Sequence, residues 1–167
     1  EGFIYPVINT CNWMDSHGDV HIDGLWQKSI TEQQGKVFYL VNHELKIGSV
    51  IAYPNDVFLM TEKMSWSQLG QSYEGTTEAL IFKTKLSDYS NSDAKLVIEN
   101  KLPVENSVRM QYVKIQLAID SMGEDYKEEK ATWEKYISKI VNKEKAIERG
   151  YFWAVTEAKI YKEGSMV

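Results

Sequence analysis

Residues 107–120 alternate between apolar and polar positions, but in two phases. Val113, Ile115, Leu117 and Ile119 are apolar and alternate with Lys114 and Gln116, the period of two that a half-buried strand requires. Upstream the phase is reversed: Val108, Met110 and Tyr112 are apolar, while Ser107, Arg109 and Gln111 are polar. A phase switch inside one strand predicts a bulge, or a barrel strand whose buried face changes. Residues 36–42, centred on Val-Phe-Tyr-Leu-Val, form an apolar, partly β-branched run that reads as a buried strand. Further strands are expected over 3–13, 47–53, 57–64 and 77–86, with Pro54-Asn55-Asp56 as the turn between two of them. Residues 151–162 form the last expected strand.

The helical signals are fewer. A short helix is expected over 25–30, and another over 90–102 with Ser92 as N-cap and Pro103 beyond its end. Tyr126, Trp133, Tyr136, Ile137, Ile140 and Ile147 recur at helical spacing with Glu and Lys between them. One long helix over about 124–149 follows, stopped by Gly150. There is no repeat or low-complexity segment, so the whole chain, 1–167, reads as a single domain. Strands outnumber helices and the helices fall between strands. That pattern predicts an α+β fold, a small mixed β-barrel or sheet with helices packed outside.

Composition narrows the function classes. With 43% hydrophobic residues, five Trp and ten Tyr, the chain has enough bulky apolar material for a real core, which argues against disorder. The net charge of −5 gives no general attraction to nucleic acid or anionic membrane. The Lys residues of 127–145 are interleaved with acids, as on a solvated helix face. Cys11 stands alone, so no internal disulfide can form, and a reducing interior compartment fits. No apolar run approaches the roughly 18 residues of a membrane span, and no signal peptide is visible. The chain opens Glu1-Gly2 without Met, which suggests a processed or trimmed product.

Several residues offer chemistry. His43 ends the apolar strand at a turn, a placement that suits either a general base or a structural His. Ser107 heads the alternating strand, yet pattern alone does not prefer it over other serines, because a Ser needs a neighbouring base to become nucleophilic. Asp15, His17, Asp19 and His21 form the densest polar cluster; they read as a structured turn or as metal ligands, although no helix-borne His pair is present. Glu163 gains interest from a register argument. If the strand holding Ser107 pairs antiparallel with the last one, with 119 opposite 151, facing residues sum to about 270. Glu163 then lies opposite Ser107, and Glu157 opposite Val113. No glycine-rich phosphate loop and no Gly-x-Ser-x-Gly elbow occurs, which disfavours nucleotide use and the α/β-hydrolase architecture.

Five segments taken together resemble the tailed-phage prohead (procapsid) maturation proteases, especially those of phages and prophages of gut Bacteroidetes. They are Asp15-Ser-His-Gly-Asp-Val-His-Ile-Asp-Gly-Leu-Trp26, Asn42-His43-Glu44 with Ile47 close behind, Thr77-Glu-Ala-Leu-Ile-Phe82, Asn106-Ser-Val-Arg-Met-Gln-Tyr-Val-Lys-Ile115, and Gly150-Tyr-Phe-Trp-Ala-Val-Thr-Glu-Ala-Lys159 running on to Glu163-Gly164-Ser165. They cover nearly the whole chain in the family's order. The resemblance implies an assemblin-like β-barrel, about six to seven mostly antiparallel strands with helices outside. It also implies acyl transfer with Ser107 as nucleophile, His43 as general base and Glu163 as the orienting third residue, with Glu157 and His21 as substitutes for it and Asp19 and Arg109 in support. No cofactor or metal is implied. The implied substrates and partners are the phage scaffold protein and the major capsid protein with its delta region, with self-association as a homodimer or autoprocessing alongside. The implied place is the bacterial host cytoplasm, inside the assembling prohead.

The chain departs from the family pattern at two positions. Relatives carry His immediately before the nucleophile and Gly two residues after it, where this chain has Asn106 and Arg109. Replacing a Gly beside the nucleophile alters the backbone donors open to an oxyanion. These departures support a rival reading, a catalytically weak or inactive protease-like domain that serves capsid assembly. Two more rivals are a metal-dependent hydrolase built on Asp15, His17, Asp19 and His21, and a plain binding module with no reactive serine.

Overall fold

The computed structural model describes residues 2–167 and holds nine strands and four α-helices. In chain order they are β1 (Phe3–Ile4), β2 (Val7–Thr10), β3 (Asp19–His21), α1 (Gln27–Gln33), β4 (Phe38–Val41), β5 (Val50–Ala52), β6 (Val57–Ser65), β7 (Thr76–Lys85), α2 (Ser92–Glu99), β8 (Asn106–Ile119), α3 (Lys127–Tyr136), α4 (Lys143–Arg149) and β9 (Tyr151–Met166). The α+β class is as the alternation predicts. Among the described residues no helix is long and apolar enough to cross a membrane.

The strands form two sheets. In the four-stranded sheet, β7 pairs antiparallel with β6 along its length, and with β1 and β2 in succession along its other edge. In the five-stranded sheet, β9 is the spine: β8 runs antiparallel beside it, while β3 and β4 pair parallel with its two ends and β5 adds to β4. Pairing is mostly antiparallel, as expected. Among the described residues, however, there are nine strands rather than six or seven, and the ladders do not close into one barrel. Between the sheets the backbone link is short: Asn12 N donates to His21 O at 2.9 Å, and Met14 bridges Val20.

Several expected elements are cut differently, each for a visible reason. Pro6 has no N–H and sits between β1 and β2, dividing the first expected strand. The expected long helix is split into α3 and α4. Around the break Val141 N donates to Asn12 O at 2.9 Å, and the buried Asn142 clasps the backbone of Met14 in both directions, at 2.8 and 2.9 Å. Those long-range bonds outweigh local helix propensity. Asn91, rather than Ser92, caps α2, its side chain accepting from Ala94 N at 2.8 Å.

The core between the sheets gathers Trp26, Tyr39, Ile51, Leu59, Leu80, Phe82, Val155 and Ile160, and a second cluster under α3 holds Trp133, Tyr136, Ile140 and Phe152. Gly164 of β9 faces the first core. A Cβ built there would lie 2.6 Å from Cε2 of the fully buried Phe82, so only a glycine lets the two sheets approach at this point. Gly164→Ala is therefore expected to cost about 1–3 kcal/mol, the usual penalty of overpacking. Urea unfolding measures this, and Phe82→Leu in the same chain should recover part of the loss.

Candidate active site

His43 lies just past β4, in a turn where Asn42 (φ 53°) and His43 (φ 57°) are both left-handed. Non-glycine residues adopt that region at a cost, so the surroundings must hold it. They do so with three backbone donors. Asn42 N reaches Met166 O at 2.9 Å, His43 N reaches Ser165 Oγ at 2.9 Å, and Glu44 N reaches Val41 O at 3.2 Å. Two of these acceptors belong to β9, whose end runs parallel to β4 with Leu40 beside Ser165 and Val41 beside Met166.

The His43 ring meets Glu163 directly: Nδ1 to Oε1 is 2.6 Å, with the His side chain 27% exposed and the Glu side chain 3%. Glu163 is ringed by donors. Arg109 Nε stands 3.2 Å from the same Oε1, and Ser165 Oγ donates to Oε2 at 2.6 Å. With donors on both oxygens the carboxyl group acts as an acceptor, so Nδ1 is the donor of this contact and Nε2 is the ring nitrogen left free of Glu163. Arg109 also extends Nη2 to His43 O at 3.5 Å.

Strand register brings Ser107 to this group. On β9, Gly164 and Met166 face the core, so Glu163 and Ser165 project from the other face. On β8, Val108 and Met110 pack on the core, which turns Ser107 and Arg109 to the face of Glu163. Pairs from Ile119–Tyr151 to Met110–Ile160 match the expected sum in large part, although Lys114, not Val113, faces Glu157. Then β9 bulges. Arg109 spans Tyr161, Lys162 and Glu163, with Lys162 left-handed (φ 67°), and pairing resumes at Val108–Gly164. Ser107 consequently faces Ser165, two residues beyond the expected Glu163. A shift of two preserves the face, so Ser107 and Glu163 remain on one side of the sheet. Ser107 is half-buried, and among the described residues its hydroxyl makes no hydrogen bond, to His43 Nε2 or elsewhere.

The remaining expected site residues lie apart. Glu157 pairs with Lys114 Nζ at 3.6 Å. His21 sits on β3, which pairs with the opposite end of β9 at Val155, eight residues and thus about 25 Å of strand from Glu163. There His21 Nδ1 is 3.0 Å from Asn9 Oδ1 and Nε2 is 3.4 Å from Tyr112 Oη, while Tyr112 donates to Asp19 Oδ2 at 2.8 Å. Neither His21 nor Asp19 touches the His43 group; both belong to a separate polar network. Asp15 Oδ1 accepts from His17 N and Asp19 N, both at 2.9 Å, closing a local turn. Among the described residues no three His, Cys, Asp or Glu side chains converge to hold a metal ion.

Two residues escaped sequence reasoning. Ser165 ends the Glu163-Gly164-Ser165 stretch with no role assigned, although a Glu-x-Ser spacing within a strand already puts both side chains on one face. Tyr39 donates to Asn106 Oδ1 at 2.5 Å, which ties the start of β8, next to Ser107, to β4. Burial pushes the Tyr39 hydroxyl well above its ordinary value, keeping it a donor.

The His21 network has a pH consequence. Burial lowers its pKa below the ordinary 6.5, and Asp15 and Asp19 only oppose that shift. The unfolded chain then binds more protons than the folded one in this window, so the stability contribution present above pH 6.5 is lost as pH falls through the lowered value. Thermal melts from pH 7.5 downward should show this fall in wild type and a flatter profile in His21→Gln.

Comparison with protein-family models, with curated proteins and with solved structures finds no match to this chain.

Proposed function

We propose that this chain is a serine endopeptidase of the prohead-maturation type, with Ser107 as nucleophile, His43 as general base and Glu163 as the residue that orients the base. The observation that carries the reading is the 2.6 Å contact between His43 Nδ1 and the buried Glu163 carboxylate, with Ser107 on the same face of the adjoining strand. A nucleophile, a base and an orienter arranged in that order are what acyl transfer needs. In the reaction, His43 Nε2 takes the Ser107 proton as Oγ attacks a peptide carbonyl. The imidazolium formed is held by Glu163, and its proton passes to the leaving amine. His43 then activates water to release the acyl group. Backbone N–H groups near Arg109 are the candidate oxyanion donors.

The family resemblance supplies the rest of the proposal. It comprises an assemblin-like relation of the fold, scaffold and capsid delta-region peptides as substrates, and action inside the assembling prohead in the host cytoplasm. High local substrate concentration there makes modest intrinsic activity sufficient. One observation favours a second reading, an inactive domain retained for assembly: Ser107 Oγ and His43 Nε2 are not hydrogen-bonded to each other. Catalytic hydrogen bonds are often formed only with substrate in place, so the serine-protease reading leads.

Labelling with a peptide phosphonate, mapped by mass spectrometry, separates the two. Adduct on Ser107 is expected in wild type, with and without chelator, and none in Ser107→Ala or His43→Ala. Glu163→Gln should keep its shape and lower the labelling rate on the order of 10⁴-fold, as loss of the orienting carboxylate does in other triads. Absence of wild-type labelling, where a related active protease reacts, would favour the assembly role.

A further inference from the structure

We propose that Ser165 is the positioning residue of this site: its single hydroxyl fixes the base and its orienting carboxylate in one closed ring of hydrogen bonds. Its three bonds run from His43 N–H to Ser165 Oγ at 2.9 Å, from Ser165 Oγ–H to Glu163 Oε2 at 2.6 Å, and from His43 Nδ1–H to Glu163 Oε1 at 2.6 Å. Ser165 has no solvent exposure, so bulk water does not compete for either bond. Each bond has its own task. The first stabilises a left-handed turn that would otherwise relax and withdraw the imidazole from the sheet face. The second holds one carboxylate oxygen so that the other points at Nδ1. Because Ser165 Oγ accepts from the backbone, its hydrogen has one destination, and the polarity of the ring is set.

Its place in the ladder reinforces the assignment. Ser165 lies between Leu40 of β4 and Ser107 of β8, so the residue that positions base and carboxylate is also the direct cross-strand neighbour of the nucleophile. Small errors in this residue are passed to all three groups. A group that acts only by packing would instead lower stability and leave imidazole orientation alone. Ser29 supplies that comparison: it is also buried, and its Oγ also bonds β9, accepting from Ile160 N at 2.9 Å, away from the His43 turn.

The proposal rests on the serine-protease reading for its catalytic meaning, but its geometry can be tested separately. Wild type, Ser165→Ala, Ser165→Cys and Ser29→Ala would be compared by the downfield NMR signal of the His43 Nδ1 proton, by the rate of phosphonate labelling at Ser107, and by thermal melting. Both Ser165 variants should lose the downfield signal and label on the order of 10²-fold more slowly, the cost of displacing a reacting group by about 1 Å. Ser29→Ala should melt earlier yet keep signal and labelling. In wild type the His43 amide should exchange with deuterium as slowly as β9 amides, a readout that requires no variant. A wild-type signal in either folded Ser165 variant, equal losses in Ser29→Ala, or a fast-exchanging His43 amide would overturn the assignment. If wild type never labels Ser107, the protease reading fails, while the NMR and exchange results still decide the role of Ser165.

Discussion

A carboxylate with 3% of its side chain exposed is expensive to keep, and the geometry of the whole site follows from how Glu163 is kept. Its two oxygens are met by a ring N–H, a guanidinium and a hydroxyl, drawn from the β4 turn, from β8 and from β9 itself. His43 and Arg109 are themselves partly exposed, so Glu163 is the buried member that depends on all three contacts. The turn after β4, the strand β8 and the end of β9 are thereby fixed relative to one another by polar contacts as well as by their ladders.

Topology makes this convergence possible. β9 is long enough to take β3 at one end and β4 at the other, both parallel, with β8 along its other edge. Its bulge at Tyr161–Glu163 advances the register by two without changing faces, and Gly164 then brings the strand close to Phe82. The core face and the polar face of the same five residues are therefore constrained together. Packing at Gly164 and Phe82 sets the depth at which Glu163 and Ser165 sit on the reverse side.

The sequence carried the α+β class and much of the β8–β9 pairing. The reversed phase around Met110 and Tyr112 predicted irregular pairing in β8, and register shifts do occur at Val108/Met110, Tyr112/Lys114 and Lys114/Ile115. The register argument placed Glu163 opposite Ser107, where the structure has Ser165; Glu163 stays on the same face only because the bulge shifts the register by two, and a one-residue slip would have sent it to the core. What was not legible depended on distant partners. Asn142 breaks the expected helix only because Met14 is there to receive it. β3 was hidden in a polar segment because three residues, Asp19 to His21, are too few to show alternation and gain their strand character from β9. Asp19 and His21 lie apart from the His43–Glu163 group for the same reason: proximity in sequence motifs says nothing about which end of a shared strand a neighbour joins.

The open Ser107–His43 gap is consistent with this division of rigid and adjustable parts. His43 is bound on its Nδ1 side and through its backbone, and the fully buried Ser165 hydroxyl both accepts and donates a hydrogen bond. Ser107, by contrast, is half-buried with an unengaged hydroxyl at the head of an edge strand whose outer side has no β-partner among the described residues. On the proposed protease reading, an arriving peptide orders Ser107 without disturbing His43, so the last alignment is made by substrate while the costly burial of Glu163 is settled in folding. That arrangement accounts for a group in which His43 and Glu163 are held in place while the Ser107 hydroxyl is unengaged.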